Sequence, residues 1–121
     1  IAFCKLVGYR VPLFLDEAAG RATDYGGLIC PSHLIMSFST SMTGALFSES
    51  IRGLLALEGA RFLVPVRPGD TIRTEVEIIA KRATSKPAVG VVTFRDHVYN
   101  QHAQEVFRND KIALIATSPQ P

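Results

Sequence analysis

Acid–base chemistry needs a proton acceptor and a donor held across a pocket. Asp16 and His33 offer an acid and an imidazole on either side of one turn, Tyr25-Gly26-Gly27. Both residues also fit local roles, Asp16 as the cap of a short helix and His33 as a polar residue in the first turn of a longer one. Cys30 stands just before that longer helix, where a helix N-terminus favours a thiolate. No basic partner stands at a readable spacing, and a buried structural thiol is the competing reading. Arg82 and Lys86 flank a turn, where they could meet phosphates or an acidic protein surface, or simply form a solvated rim. His97 and His102 fall near a strand end and a turn, with neither a metal-ligand spacing nor an evident carboxylate partner. Cys4 and Cys30 have neither the number nor the spacing of a disulfide framework or a zinc site. Free thiols in a reducing compartment are therefore expected, with no metal and no cofactor.

These residues must be positioned by a helical first half and a strand-rich second half. Residues Ile1 to Val7 are apolar at helical spacing, and Gly8 can stop that helix. Pro12 interrupts the segment from Tyr9 to Leu15, which reads as irregular, and Asp16 can cap a short helix through Ala22. The longest helical candidate runs from Pro31 to about Phe47, with Leu34, Ile35, Phe38, Met42, Ala45 and Leu46 on one face and small residues such as Ser39 and Thr43 on the other. This helix is expected to be buried.

Four strand candidates follow, Leu54 to Val66, Thr71 to Ala83, Ala88 to Tyr99 and Glu105 to Ala116. The turns between them are Arg67-Pro68-Gly69-Asp70, Ser85-Lys86-Pro87 and Asn100-Gln101-His102-Ala103, so consecutive strands are expected to pair as antiparallel neighbours. One long helix followed by long antiparallel strands is best accommodated by a curved sheet wrapped around the helix, an α+β hot-dog arrangement. An open sheet edge predicts a dimer as the smallest unit.

The 121 residues, 47% apolar and 20% charged, predict a single globular domain spanning 1–121. The net charge is +2, but the basic residues are scattered among acids, which argues against nucleic acid as a partner. No apolar run reaches the length of a bilayer span, so no membrane partner is expected and a cytoplasmic location is the default. The chain opens at Ile1 rather than Met, so an N-terminal piece is expected to have been trimmed, processed or left out.

The run Phe62-Leu63-Val64-Pro65-Val66-Arg67-Pro68-Gly69-Asp70-Thr71 resembles the strand-turn-strand signature of MaoC-like acyl-thioester hydratases and dehydratases. The resemblance continues through Lys81 to Pro87, Gly90-Val91-Val92 and Asn100-Gln101. In the first half, Gly8, Pro12-Leu13, Asp16-Glu17-Ala18-Ala19 and Tyr25 to Pro31 are similar to the segment leading into the family's central helix.

The resemblance implies a hot-dog fold and an acyl-CoA or acyl-carrier-protein thioester as ligand. Active members carry Asp-x-Asn-Pro-x-His where this chain, aligned on Pro12, has Tyr9, Val11 and Phe14. Phe14 moves no proton, and a tyrosine with an ordinary pKa of about 10 is a poor base near neutrality. The family's thioester-binding glycine follows a histidine; the corresponding positions here are Ser32 and Pro31, which keep a backbone donor at Ser32. The implied substrate-binding set is Phe14, Cys30, Pro31, Ser32, His33 and Lys86, with Tyr9, Asp16 and His33 as fallback acid–base groups.

Three functions are compatible with this reading. The first is a subunit without the acid–base pair that lines an acyl tunnel, as a homodimer or beside a catalytic hydratase subunit. The second is an active enoyl-CoA hydratase with a relocated acid–base set. The third is an acyl-CoA thioesterase, which would want a carboxylate on or facing the central helix, where the Pro31 to Phe47 segment has none. Family members also carry an N-terminal strand before the part matching Ile1 to Gly8; its absence here predicts a lost strand, a missing piece or a strand lent by a partner.

Overall fold

The computed structural model describes residues 1–117. Helix α1 (Ala2–Val7) ends where Gly8 adopts φ 72°, a left-handed conformation that costs glycine little. A single 3₁₀ turn (Pro12–Phe14) follows, and then α2 (Glu17–Arg21), capped by the Asp16 carboxylate, which accepts the Ala18 N–H at 3.2 Å. The long helix α3 (Ser32–Phe47) leads into four strands: β1 (Ile51–Phe62), β2 (Arg73–Ala83), β3 (Val89–Tyr99) and β4 (Glu105–Ala116).

The strands form one antiparallel sheet in the order β1-β4-β3-β2. Two hairpins, β2-β3 and β3-β4, match the expectation of consecutive pairing; β1 does not pair with β2 but crosses to β4. The reason lies in the connection. After Phe62 the chain leaves the sheet through Pro65 and Pro68, which have no N–H to donate to a ladder, and Leu63 and Val64 both turn their N–H groups to the Val106 carbonyl. The first strand accordingly spans Ile51–Phe62 rather than reaching Val66. Gly59, at φ 61°, sits in the irregular register between Glu58 and Arg61 that bends this edge strand.

Helix α3 lies against the sheet with Ile35, Ser39 and Thr43 inward, at i, i+4 and i+8. The expectation of a buried helix is corrected in part. Phe38 is 49% and Leu46 66% exposed, while the small Ser39 and Thr43 meet the sheet. Small side chains let the helix backbone approach polar groups on β3 and β4, which larger residues would hold apart. The apolar core, Ile35, Val66, Val98, Val106 and Phe107, sits under the N-terminal half of α3. Full burial of each such side chain contributes about 1.5–3 kcal/mol.

Candidate functional site at the start of the central helix

The segment entering α3 is held from two sides. Glu17 of α2 accepts the Leu28 N–H at 3.1 Å through one carboxylate oxygen, and its other oxygen faces Arg21 at 3.3 Å. Gly20 packs so closely on Gly27 that a Cβ there would stand 2.4 Å from the Gly27 carbonyl carbon. On the opposite side the guanidinium of Arg67 donates to the Tyr25 carbonyl, and the Val66 carbonyl accepts the Cys30 N–H at 2.7 Å.

The Arg67-Pro68-Gly69-Asp70 turn is itself rigid. Asp70 accepts the Arg67 N–H at 2.9 Å and the Gln101 amide at 2.9 Å, and Gln101 accepts the Thr71 N–H at 3.1 Å. The Arg67 N–H and the Gln101 amide hold the Asp70 carboxyl below its ordinary value. Gly69 supplies the required φ of 92°. The strand-turn-strand signature thus works as a clamp on the start of the central helix.

Helix α3 opens at Pro31, which is buried and has no side-chain acceptor to cap the helix. Among the described residues, the N–H groups of Ser32 and His33 find no acceptor. Ser32 and Cys30 line a pocket of about 210 Å³ whose other walls include Ile35, Phe62, Val64 and Val106. Free N–H groups and the positive end of the helix dipole beside an apolar cleft suit a carbonyl oxygen gaining negative charge. Burial pushes the Cys30 thiol up, and the Asp70 carboxylate adds to that rise, so Cys30 stays a neutral thiol rather than a nucleophile near neutrality.

The other residues singled out in the sequence are dispersed. Tyr9 and Phe14 pack with ring centroids 5.4 Å apart and their planes tilted by 38°, and Tyr9 lines a separate cleft with Ile1, Lys5 and Arg10. Asp16 is committed to capping α2. His33 is exposed on the first turn of α3 and is not part of the wall that Cys30 and Ser32 form. Lys86 stands at the far end of α3, on a groove of about 620 Å³ with Lys81 and Arg82. Of the implied binding set, Cys30 and Ser32 share one pocket with Pro31 directly between them in the chain.

Two polar constellations are invisible at the level of sequence spacing. His97 bridges Glu77 and Glu105 at 3.1 Å each, because cross-strand pairing carries both carboxylates to it. Asp96, 1% exposed on β3, faces α3 and pairs with Lys111 of β4 at 2.9 Å. Asp96 is thus a carboxylate facing the central helix, contributed by the sheet and neutralised by a lysine. Among the described residues no cluster of three His, Cys, Asp or Glu could hold a metal ion, and no helix is long and apolar enough to cross a membrane.

The sequence profile of the MaoC like domain matches residues 3–100. The chain belongs to the MaoC-like domain family. The MaoC-like chain is 48% identical over 97 residues to the 3-hydroxyacyl-[acyl-carrier-protein] dehydratase FabZ of Solibacter usitatus, covering 74% of this chain and 59% of that relative. It therefore spans about three-fifths of the curated relatives it matches. Its fold superposes on the monoamine oxidase regulatory protein of Archaeoglobus fulgius with a TM-score of 0.89 at 28% identity, over 98% of this chain and 80% of that one. The (R)-hydratase of A. caviae involved in PHA biosynthesis gives a TM-score of 0.75 at 25% identity, over 93% and 81% of the two chains. A double-hotdog protein of Mycobacterium tuberculosis gives 0.83 at 24% identity over 99% of this chain and 38% of that one, a likeness of fold. The MaoC-like chain is a hot-dog fold of the α+β class.

Proposed function

We propose that this MaoC-like chain binds an acyl thioester, on coenzyme A or an acyl carrier protein, at the start of α3 and does so without the family's Asp/His pair. The observation that carries this reading is the uncapped start of α3 beside the Cys30–Ser32 pocket, with no ionised acid or base in its wall. The free N–H groups are the donors that a thioester carbonyl needs, and the apolar walls suit an acyl chain. Hydration also needs a base for water and an acid for the alpha carbon. Tyr9 packs against Phe14 and lines a different cleft, which supports a role in shape rather than proton transfer. The chain then acts as an acyl-binding subunit, in a homodimer or beside a catalytic hydratase subunit. Arg82 and Lys86, at the opposite end of α3, are available to coenzyme A phosphates or an acidic carrier.

Hydration of a short and a medium trans-2-enoyl-CoA, followed at the enoyl absorbance, tests this directly. The expected result is saturable binding without turnover. Ser32→Pro removes one free N–H at a helix position that tolerates proline, and should weaken binding about tenfold, the loss of one hydrogen bond. Robust turnover lost in Tyr9→Phe or His33→Ala would instead establish an active hydratase with a relocated acid–base set.

A further inference from the structure

The face of the sheet turned away from α3 carries a cleft of about 340 Å³ over β1, β4 and β3, lined by Gly59, Arg61, Arg95, Arg108 and Asp110. Side chains alternate across a strand, so Arg95 and Asp110 point outward beside Asp96 and Lys111, which reach Ser39 and Thr43 of α3. Arg61 and Arg108 are direct cross-strand partners next to Phe62 and Phe107, whose rings meet on the inner face with centroids 4.8 Å apart. An irregularity of β1 brings Arg61 to the outer face. Between the pairs Glu58–Asp110 and Arg61–Arg108, β1 carries Gly59 and Ala60 where β4 carries only Asn109. Strict alternation from Glu58 would send Arg61, three residues on, to the inner face; the extra residue of the bulge returns it to the outer face opposite Arg108. Gly59 supplies the φ of 61° at this bulge, and a Cβ there would meet nothing within 4 Å, so the space beside it is open.

Like charges directly opposite each other on one face of a sheet are destabilising, so the fold alone gives no reason for this pair of arginines. Neither is neutralised by a close carboxylate. Glu105 stands 3.9 Å from Arg108 Nε and accepts from His97 at 3.1 Å instead. Among the described residues Arg108 donates no side-chain hydrogen bond, and Arg61 donates only to the adjacent Ala60 carbonyl at 3.2 Å. Arg95 is held differently. Asp110 accepts its Nε–H at 2.8 Å and an Nη2–H at 3.1 Å, which fixes the guanidinium plane and leaves the Nη1 donors without an acceptor among the described residues. Asp110 is the one acid in the lining, so three arginines leave the cleft with two net positive charges, as many as the whole chain carries.

We infer that this cleft binds a dianionic phosphate group, free or as a phosphomonoester, between Arg61 and Arg108 on one side and the preset guanidinium of Arg95 on the other. A phosphate dianion offsets the whole excess charge and presents three strong acceptor oxygens to guanidinium donors. A carboxylate or a phosphodiester offsets half of that charge. Guanidinium forks match phosphate oxygens in geometry, which the single point charge of a lysine does not. The cleft lies on an exposed sheet face, with Arg61 and Gly59 both open to solvent, so the substituent of a monoester projects outward without a clash. Neither the Ser32 pocket nor its ligand enters this assignment.

Inorganic phosphate, methyl phosphate, dimethyl phosphate and acetate are the probes, titrated into the full chain at fixed ionic strength in a phosphate-free buffer while the arginine Nε–H resonances are followed by NMR. Phosphate should shift those of Arg61, Arg95 and Arg108 saturably and bind about tenfold or more tightly than dimethyl phosphate or acetate. Methyl phosphate binding as well as phosphate identifies a monoester ligand; phosphate binding alone identifies the free ion. Arg61→Gln and Arg108→Gln should each weaken phosphate binding about tenfold, the loss of one charge-assisted contact, while Arg52→Gln at the other end of β1 should leave it unchanged. Without phosphate, Arg61→Gln should melt no lower than the native chain, since it removes the like-charge opposition. Phosphate should raise the melting temperature of the native chain and not that of Arg61→Gln/Arg108→Gln. Equal binding of acetate and phosphate, an Arg52 response as large as those of the cleft arginines, undiminished binding in the two single cleft variants, or a lower melt of Arg61→Gln would overturn the proposal.

Discussion

Lys111 Nζ and Asp96 Oδ2 lie 2.9 Å apart at the centre of the sheet's inner face, joining β4 to β3 beneath Ser39 and Thr43 of α3. Two charges removed from water are held there by each other, so losing one partner is costlier than losing both. Lys111→Met should lower unfolding stability by about 3–5 kcal/mol, and Asp96→Leu/Lys111→Met should recover most of that loss. Urea denaturation of the three proteins provides the comparison. A single variant as stable as the native chain would show that the pair is not buried in solution.

His97 predicts a pH dependence of its own. Burial pulls the imidazole down, but hydrogen bonds to Glu77 and Glu105 outweigh it and set its pKa above the ordinary 6.5. A group raised in the folded state binds its proton more tightly there than when unfolded. Its contribution is therefore fully present below the unfolded value and is lost as pH rises through the folded one. Denaturation midpoints measured from about pH 6 to about pH 8, the range in which histidine titrates, should fall more for the native chain than for His97→Gln. Parallel profiles would remove His97 as the cause.

Asp70 works in the opposite sense, because the Arg67 N–H and the Gln101 amide depress its pKa in the folded chain. Its stabilisation is present above the unfolded value and disappears as pH falls through the folded one. Asp70→Ala should cost about 1 kcal/mol, discounted for the turn's exposure, and should loosen the Val66 carbonyl that holds Cys30. Faster amide exchange at Cys30 in the variant is the diagnostic signal; unchanged exchange would mean that the turn does not clamp the helix start.

Gly20→Ala tests the other side of the clamp. The new Cβ would meet the Gly27 backbone at 2.4 Å, and backbone cannot swing away as a side chain does. A loss of about 1–3 kcal/mol is expected, the usual cost of overpacking. A thermal melt coincident with that of the native chain would show that α2 and the Gly27 segment are not in contact.

Much of the architecture was legible because its causes are local. Gly8 ends α1, Asp16 caps α2 two residues away, and Asp70 accepts from Arg67 three residues back within its own turn. Strand β4 follows its apolar pattern from Glu105 to Ala116, and the helix from Ser32 to Phe47 differs by one residue from the span read in the sequence. That Cys30 and Ser32 line one pocket was legible because positions two apart at a helix start share surroundings.

What the sequence by itself determined was the inventory of elements, their order and the turn chemistry between them, since each depends on backbone preferences within a few residues. Tertiary structure decided which elements became neighbours. It sent β1 to β4 instead of β2, turned Ser39 and Thr43 inward while leaving Phe38 and Leu46 outside, and brought Glu77 and Glu105 to His97. It also placed Asp96 against Lys111 from adjacent strands, a pairing set by the register of the sheet. No local pattern encodes such contacts, because they form only when distant segments bury surface together and the helix and sheet choose which faces to join.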